Sequence, residues 1–333
     1  MKIFKCPKCR EFLYFENYSC LGCGTRVGFD IISKEFINID TASSSPICAN
    51  RQSIGCNWLT DLNHLQCRSC RLTSAHPESI DLNNFSKYRL LEKAKRRLIF
   101  QLNMLSLPII SKFENYQTGL EFEFLDKNNS QGKLTGHHQG TITILLEEAD
   151  SVQREQLRKK MSEPYRTLVG HFRHEVGHYY WLIFINNGRE LSFRQVFGDE
   201  RIDYATSLES HYQNGAPSNW PQHYISQYAS SHPMEDWAES WAHYLHIMDM
   251  LQTAHHSGIT VKSIDGDKQA MPYADIDPYQ QRDFRTLYQN SISLTNGVNN
   301  LNRSMGIPDI YPFVIPDPVY HKLEFIHELL QSI

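Results

Sequence analysis

The segment EPYRTLVGHFRHEVGHYYWLIF places His174, Glu175 and His178 in an H-E-x-x-H word. Residues four apart share a helix face, so both imidazoles can meet one zinc ion while Glu175, one step round, reaches a water beside it. A hydrolytic zinc site needs a third protein ligand and an open fourth position. The metzincin pattern would require a glycine and a histidine where Trp181 and Phe184 stand, which excludes that class. A glutamate from a later helix is the other common solution, and SSHPMEDWAESWAHY offers it. Pro233 marks a helix start, and Glu235 and Glu239 fall on one face. We read Glu235 as the ligand and Glu239 as acceptor of a ligand histidine's distal N–H, which fixes that ring's tautomer. Exchanged roles, or Asp236 as ligand, stay open, and acids in a first turn also complement the helix dipole. FGDERIDY supplies Asp199, Glu200 and Asp203 as competitors, read chiefly as support or as ion-pair partners of Arg201 and its neighbours.

All eight cysteines fall in the first 70 residues of the 333-residue chain. Cys6, Cys9, Cys20 and Cys23 form two C-x2-C turns, which facing each other make a tetrahedral sulfur site for zinc. Cys48, Cys56, Cys67 and Cys70 end in another close pair, but the first half-site is spread through ICANRQSIGC and needs a longer loop. A disulfide scaffold is the alternative and suits a short secreted chain better. The expected cofactor is therefore zinc, one catalytic and two structural. The region's mild basic excess lacks aromatic interleaving, which favours a structural role over nucleic-acid binding.

The elements that must position these residues can be read from periodicity. A polar stretch near residues 73–83 suggests a boundary, giving a zinc-ribbon region over 1–75 and a second domain over 76–333. Residues 84–105 repeat apolar positions at helical spacing, with Lys93, Lys95, Arg96 and Arg97 read as a solvated basic face. LEFEFL (120–125) and GTITILL (140–146) read as strands. Helices follow at SVQREQLRKKM, around HEVGH, through FRQVFGDERIDYATSLESHY to Gly215, at PMEDWAESWAHYLHIMDML and near 318–332. A small sheet followed by many helices is an α+β pattern. No signal-like apolar run opens the sequence and no segment reaches bilayer length, so the expectation is a soluble, cytoplasmic protein without a membrane partner. A net charge of -4 argues against a broad nucleic-acid surface.

Taken together, HFRHEVGHYYW, FGDERIDY, YASSHPMEDWAESWAHYLHI and NRSMGIPDIYPF resemble the bacterial zinc-binding metallopeptidases that carry an N-terminal zinc-ribbon region. The resemblance covers essentially the whole chain. The E-x-x-A-E word from Glu235 to Glu239 is also similar to the third-ligand helix of gluzincin-type peptidases, the group that includes thermolysin. It implies a mainly helical thermolysin-like catalytic domain with a small sheet, in which GTITI at 140–144 is an edge strand holding an extended peptide. His137 and His138 would line that cleft. In the lethal-factor type a tyrosine seven residues before the ligand glutamate assists at the active site, and Tyr228 stands at that spacing.

The implied activity is hydrolysis of a peptide or protein, with Glu175 as general base and His171, Tyr228 or His232 as candidates to stabilise the oxyanion. Two other classes compete. One is a zinc-ribbon module that binds protein or nucleic acid, with a structural HEVGH zinc closed by a fourth protein ligand. The other is a zinc hydrolase acting on a different bond.

Overall fold

The computed structural model describes residues 2–41, 46–78, 81–128, 130–152, 154, 167–186, 188–261, 277–311 and 314–333. The chain forms two compact units, Met1–Glu155 and Gln156–Ile333.

Two short antiparallel hairpins open the first unit, β1 (Phe4–Lys5) with β2 (Phe12–Leu13) and β3 (Val27–Asp30) with β4 (Glu35–Asn38). Strands this short bury little, and aromatic rings make up the deficit. The Phe29 ring centroid lies 5.8 Å from Phe4, 5.2 Å from Trp58 and 5.5 Å from Phe100. Phe100 belongs to α1 (Leu82–Met104), so that helix completes the ribbon core and compactness divides the chain well beyond residue 75.

The basic cluster on α1 corrects the expectation of a solvated face for Lys95, Arg96 and Arg97, while Lys93 stays exposed as expected. Lys95 is fully buried and pairs with Glu92 at 2.6 Å, Arg96 donates to the Gly55 carbonyl at 3.1 Å, and Arg97 Nε donates to Glu16 at 2.6 Å. Irregular ribbon loops present carbonyl and carboxylate oxygens that an apolar helix face would leave unpaired, and long cationic side chains satisfy them.

The first unit also holds a four-stranded sheet in the order β5 (Thr73–Ala75), β6 (Glu121–Leu125), β8 (Thr141–Leu145), β7 (Gly136–His138). β8 runs parallel to β6 and antiparallel to β7. The TITIL strand is therefore interior, and the expected edge strand is overturned: β7 covers its free side through a tight connection closed by Gly140 N–H donating to His137 Nε2 at 2.9 Å. His137 thus serves that turn. The helix expected over 151–161 lies mostly outside the described residues.

The second unit is helical: α2 (Leu168–Phe184), α3 (Glu190–Phe197), α4 (Tyr204–Asn214), α5 (Pro233–Ser257), α6 (Phe284–Ser304) and α7 (Asp317–Gln331). The single helix expected through FRQVFGDERIDYATSLESHY is two, because Gly198 takes φ +96° and turns the chain before Asp203 caps α4. None of the described helices is long and apolar enough to cross a membrane.

α5 is the central element, capped by His232 at its start and by left-handed Gly258 at its end. α2 crosses it at Gly177, where an added Cβ would stand 3.1 Å from Ala238 Cα and 3.2 Å from Trp241 Cβ. Trp237 Nε1 donates to the Gly177 carbonyl at 2.8 Å, and Tyr180 stacks on Trp241 at 5.0 Å. The glycine inside HEVGH and the alanine between the two glutamates are thus the contact points of the two helices. A Gly177→Val substitution should overpack this crossing and lower stability by about 1–3 kcal/mol, read as a lower midpoint in denaturant unfolding.

Candidate metal centre

Thr167 starts α2 by accepting the Gly170 N–H at 3.0 Å, and the buried face that follows carries His174, Glu175 and His178. Pro233 and His232 start α5 so that Glu235 lies in its first turn and Glu239 one turn later. The crossing at Gly177 brings these two short segments together. His174 Nε2 stands 3.3 Å from His178 Nε2 and 3.0 Å from Glu235 Oε2, while His178 Nε2 stands 3.5 Å from Glu235 Oε1. Donor atoms about 2.0–2.2 Å from one zinc at tetrahedral angles sit about 3.3–3.6 Å apart, which two of these separations match, while the 3.0 Å between His174 and Glu235 is shorter.

Hydrogen bonding makes the same point. His174 Nδ1 meets Glu239 Oε1 at 2.7 Å, so in the neutral ring Nδ1 carries the proton and Nε2 turns its lone pair toward Glu235 and His178. Glu235 is 1% exposed, and its Oε2 accepts no hydrogen bond. Lone pairs converging in a buried space need a cation or a proton between them. In this geometry the Glu235 carboxylate faces both imidazoles and Glu239 meets the distal Nδ1 of His174. Ser226 Oγ donates to Glu239 Oε2 at 2.6 Å and completes that support.

Electrostatics follow from the packing. Burial alone would raise the carboxyl of Glu235, but His178 and His174 override it and hold it well below the carboxylate range. Burial disfavours a charged His174, yet Glu235 and Glu239 together hold its pKa well above the ordinary histidine value. Burial also works against an ionised Glu175, and His171 Nε2, 3.2 Å from its Oε1, brings its pKa below the usual value. His171 is thus a partner of Glu175.

The remaining carboxylate candidates are accounted for elsewhere. Asp236 is buried beside Lys322 Nζ at 2.7 Å, tying α5 to α7, and burial pushes its pKa up to about 7 against the pull of that lysine. Asp199 pairs with Arg201 at 2.7 Å and Asp203 caps α4 through the Thr206 N–H at 2.7 Å. Glu200 accepts from Arg194 Nε at 2.9 Å. His232 accepts the Met234 N–H on Nδ1 and meets the Ile202 carbonyl through Nε2 at 3.2 Å, which takes up both ring nitrogens. Arg303 pairs with Asp309.

Tyr228, in a short 3-10 turn before α5, lies with its ring 5.9 Å from that of His174. Burial keeps its phenol protonated, with the charge of Glu235 acting in the same direction. The residue that sequence reasoning missed is Tyr204, whose phenol donates to Glu235 Oε1 at 2.6 Å. It stands in FGDERIDY, where attention fell on the carboxylates.

In the first unit the cysteines gather as two groups, Cys6, Cys9, Cys20, Cys23 and Cys48, Cys56, Cys67, Cys70, and all eight are free thiols. Sγ separations of 3.7 Å for Cys6 and Cys23, 3.5 Å for Cys9 and Cys20, and 3.6 Å for Cys56 and Cys67 lie far from a disulfide. They approach the roughly 3.8 Å edge of a tetrahedron of thiolates about 2.3 Å from zinc. Arg10, Gly24 and Arg71 donate their N–H groups to the carbonyls of Cys6, Cys20 and Cys67, closing three similar knuckles. The spread half-site is folded back by a 3-10 turn at Ala49–Arg51 and by Gly55 at φ +67°. Thr25 Oγ1, 3.1 Å from Cys23 Sγ, draws that thiol down to about 6 and favours the thiolate a metal needs.

Because His174 holds a proton well above the ordinary histidine range without metal, zinc must displace it. With the cysteine sites kept loaded, zinc affinity at the histidine site should rise with pH, by about tenfold per unit for each proton displaced. Calorimetric titrations near neutral pH in buffers of different ionisation enthalpy should report about one proton released; identical heats in all buffers would contradict this.

Comparison with known proteins agrees with this arrangement. The family model described as "Putative zinc-binding metallo-peptidase" matches residues 84–329, and a zinc-ribbon domain model matches residues 3–81. An uncharacterized protein of Mycobacterium bovis (strain ATCC BAA-935 / AF2122/97) is 40% identical over 338 residues, covering 100% of this chain and 96% of its own. Uncharacterized proteins of Mycobacterium tuberculosis strains CDC 1551 / Oshkosh and ATCC 25618 / H37Rv match with the same identity and coverage. No solved structure matches the chain. The chain thus belongs to the family described as "Putative zinc-binding metallo-peptidase", whose model matches the region behind an N-terminal zinc-ribbon domain.

Proposed function

We propose that the protein is a zinc-dependent peptidase in which His174, His178 and Glu235 hold the catalytic ion and Glu175 is the general base. The observation that carries this reading is the convergence of two imidazoles and one orphaned carboxylate oxygen, with Glu175 one step along the same helix held by His171 Nε2 at 3.2 Å. Zinc bound there would supply Lewis acidity, lowering the pKa of a water and polarising the scissile carbonyl. Glu175 takes a proton from the attacking water and returns it to the leaving amine, with His171 orienting its carboxylate. Glu239 holds His174 in the tautomer that leaves Nε2 free to bind. Tyr228, kept protonated beside His174, donates to the developing oxyanion.

In this reading the substrate is a peptide or protein and the working location is the cytoplasm. Residues 1–75 serve as a structural zinc-ribbon region with two further zincs, and residues 76–333 serve catalysis.

Elemental analysis should find about three zincs per chain, with His178→Ala and Cys20→Ser each losing about one. Glu175→Gln should keep every zinc and lose about 10²–10⁴-fold in cleavage of a peptide library. Full zinc in His178→Ala, or undiminished cleavage by Glu175→Gln, would refute the assignment.

A further inference from the structure

We infer that Tyr204 is a positioning residue that confines Glu235 to one-oxygen coordination of the metal, and that the FGDERIDY segment is built to hold it there. The inference rests on the reading of Glu235 as a metal ligand.

Three observations lead to it. Packing does not call for a tyrosine at this place, since α4 buries none of its residues. Its hydroxyl does: Tyr204 Oη donates to Glu235 Oε1 at 2.6 Å. The other oxygen, Oε2, is left without a hydrogen bond and faces His174 Nε2 at 3.0 Å. Oε1 also lies 3.5 Å from His178 Nε2, so both oxygens of this buried carboxylate stand within reach of the metal position, and the phenol engages one while the other carries no hydrogen bond.

The loop before Tyr204 is tied down residue by residue. Gly198 turns the chain out of α3, Arg194 grips Glu200 from that helix, and Arg201 folds back on Asp199. The Ile202 carbonyl meets His232 Nε2 at 3.2 Å, and Asp203 caps the helix that begins with Tyr204. His232 also caps α5, three residues before Glu235, and its ring meets the Tyr204 ring edge-on at 5.1 Å. With Nδ1 accepting from Met234, the proton lies on Nε2, so His232 is the donor to the loop. One side chain therefore fixes both the tyrosine's loop and the glutamate's helix.

The consequence is chemical. A carboxylate that binds through both oxygens occupies a coordination position that a hydrolytic site must keep for water and substrate. Holding Oε1 on a neutral phenol prevents this without adding a competing ligand charge.

The test compares wild type with Tyr204→Phe, which keeps the ring and removes only the hydroxyl. Zinc is retained in both cysteine sites, the histidine site is emptied by a chelator and refilled with cobalt(II), and the visible d–d spectrum of that site is recorded. Wild type should show the intense bands of a four-coordinate ion. Tyr204→Phe should lose most of that intensity as the freed oxygen joins and the ion becomes five-coordinate. Superimposable spectra would overturn the role of Tyr204. Glu235→Gln separates the two readings: if it abolishes cobalt binding at this site while Tyr204→Phe leaves the spectrum unchanged, only the positioning role fails. If Glu235→Gln leaves cobalt binding and spectrum unchanged, the ligand assignment itself fails.

Discussion

A carboxylate that is 1% exposed is the constraint around which the second unit is organised. Removing Glu235 from water is costly unless opposite charge and hydrogen-bond donors replace the solvent. The structure supplies them from three directions: a phenol from α4, two imidazoles from α2, and the space between those imidazoles where a cation fits. Without metal, a proton on His174 takes the cation's part, which is why the two glutamates lift that histidine's pKa against its own burial. The grouping that would favour a cation here is the same grouping that favours a proton on His174.

Such an arrangement works only if the donors are held at fixed separations, and the helix crossing does this. Gly177 and Ala238 let α2 and α5 approach closely, Trp237 locks the contact with a hydrogen bond to the Gly177 carbonyl, and stacked aromatic rings keep the crossing stiff. Behind it, the buried Asp236 and Lys322 pair fastens α5 to α7. Ligands on two packed helices hold their geometry better than ligands on loops.

The first unit meets the problem of a small core differently. Its hairpins are too short to bury much surface, so eight free cysteines in two groups and a cluster of phenylalanines around Trp58 stand where a larger domain would place aliphatic layers. α1 adds Phe100 to that cluster and sends Arg96 and Arg97 to oxygens of the loops. A basic run that looks solvated by composition thus supplies struts from Lys95, Arg96 and Arg97 and leaves Lys93 exposed.

Much of this was legible in the sequence because local spacing carries it. C-x2-C puts two thiolates on one turn, and H-E-x-x-H puts two imidazoles on one helix face. Pro233 fixes where the glutamates' helix begins, so Glu235 and Glu239 could be named as candidates from position, with their roles left open. Periodicity likewise located α1, β6, β8 and α5. The errors arose where the partner lies far along the chain or in a segment too short to carry a pattern. Whether TITIL is an edge or an interior strand depends on the three-residue β7 beside it, a segment too short to show a pattern. Whether Lys95 is solvated depends on Thr73, to which it donates, and on the Phe122 and Phe124 rings of β6 against which its ammonium lies. Tyr204 and Glu235 are separated by 31 residues, and no periodicity connects them. The sequence by itself determined which residues can bind metal and which short segments present them, because those are properties of adjacent backbone geometry. Only the tertiary structure decided which carboxylate faces the two imidazoles, which meets the far side of His174 and which pairs with a lysine, because that choice is made by burial and by partners that the fold brings together.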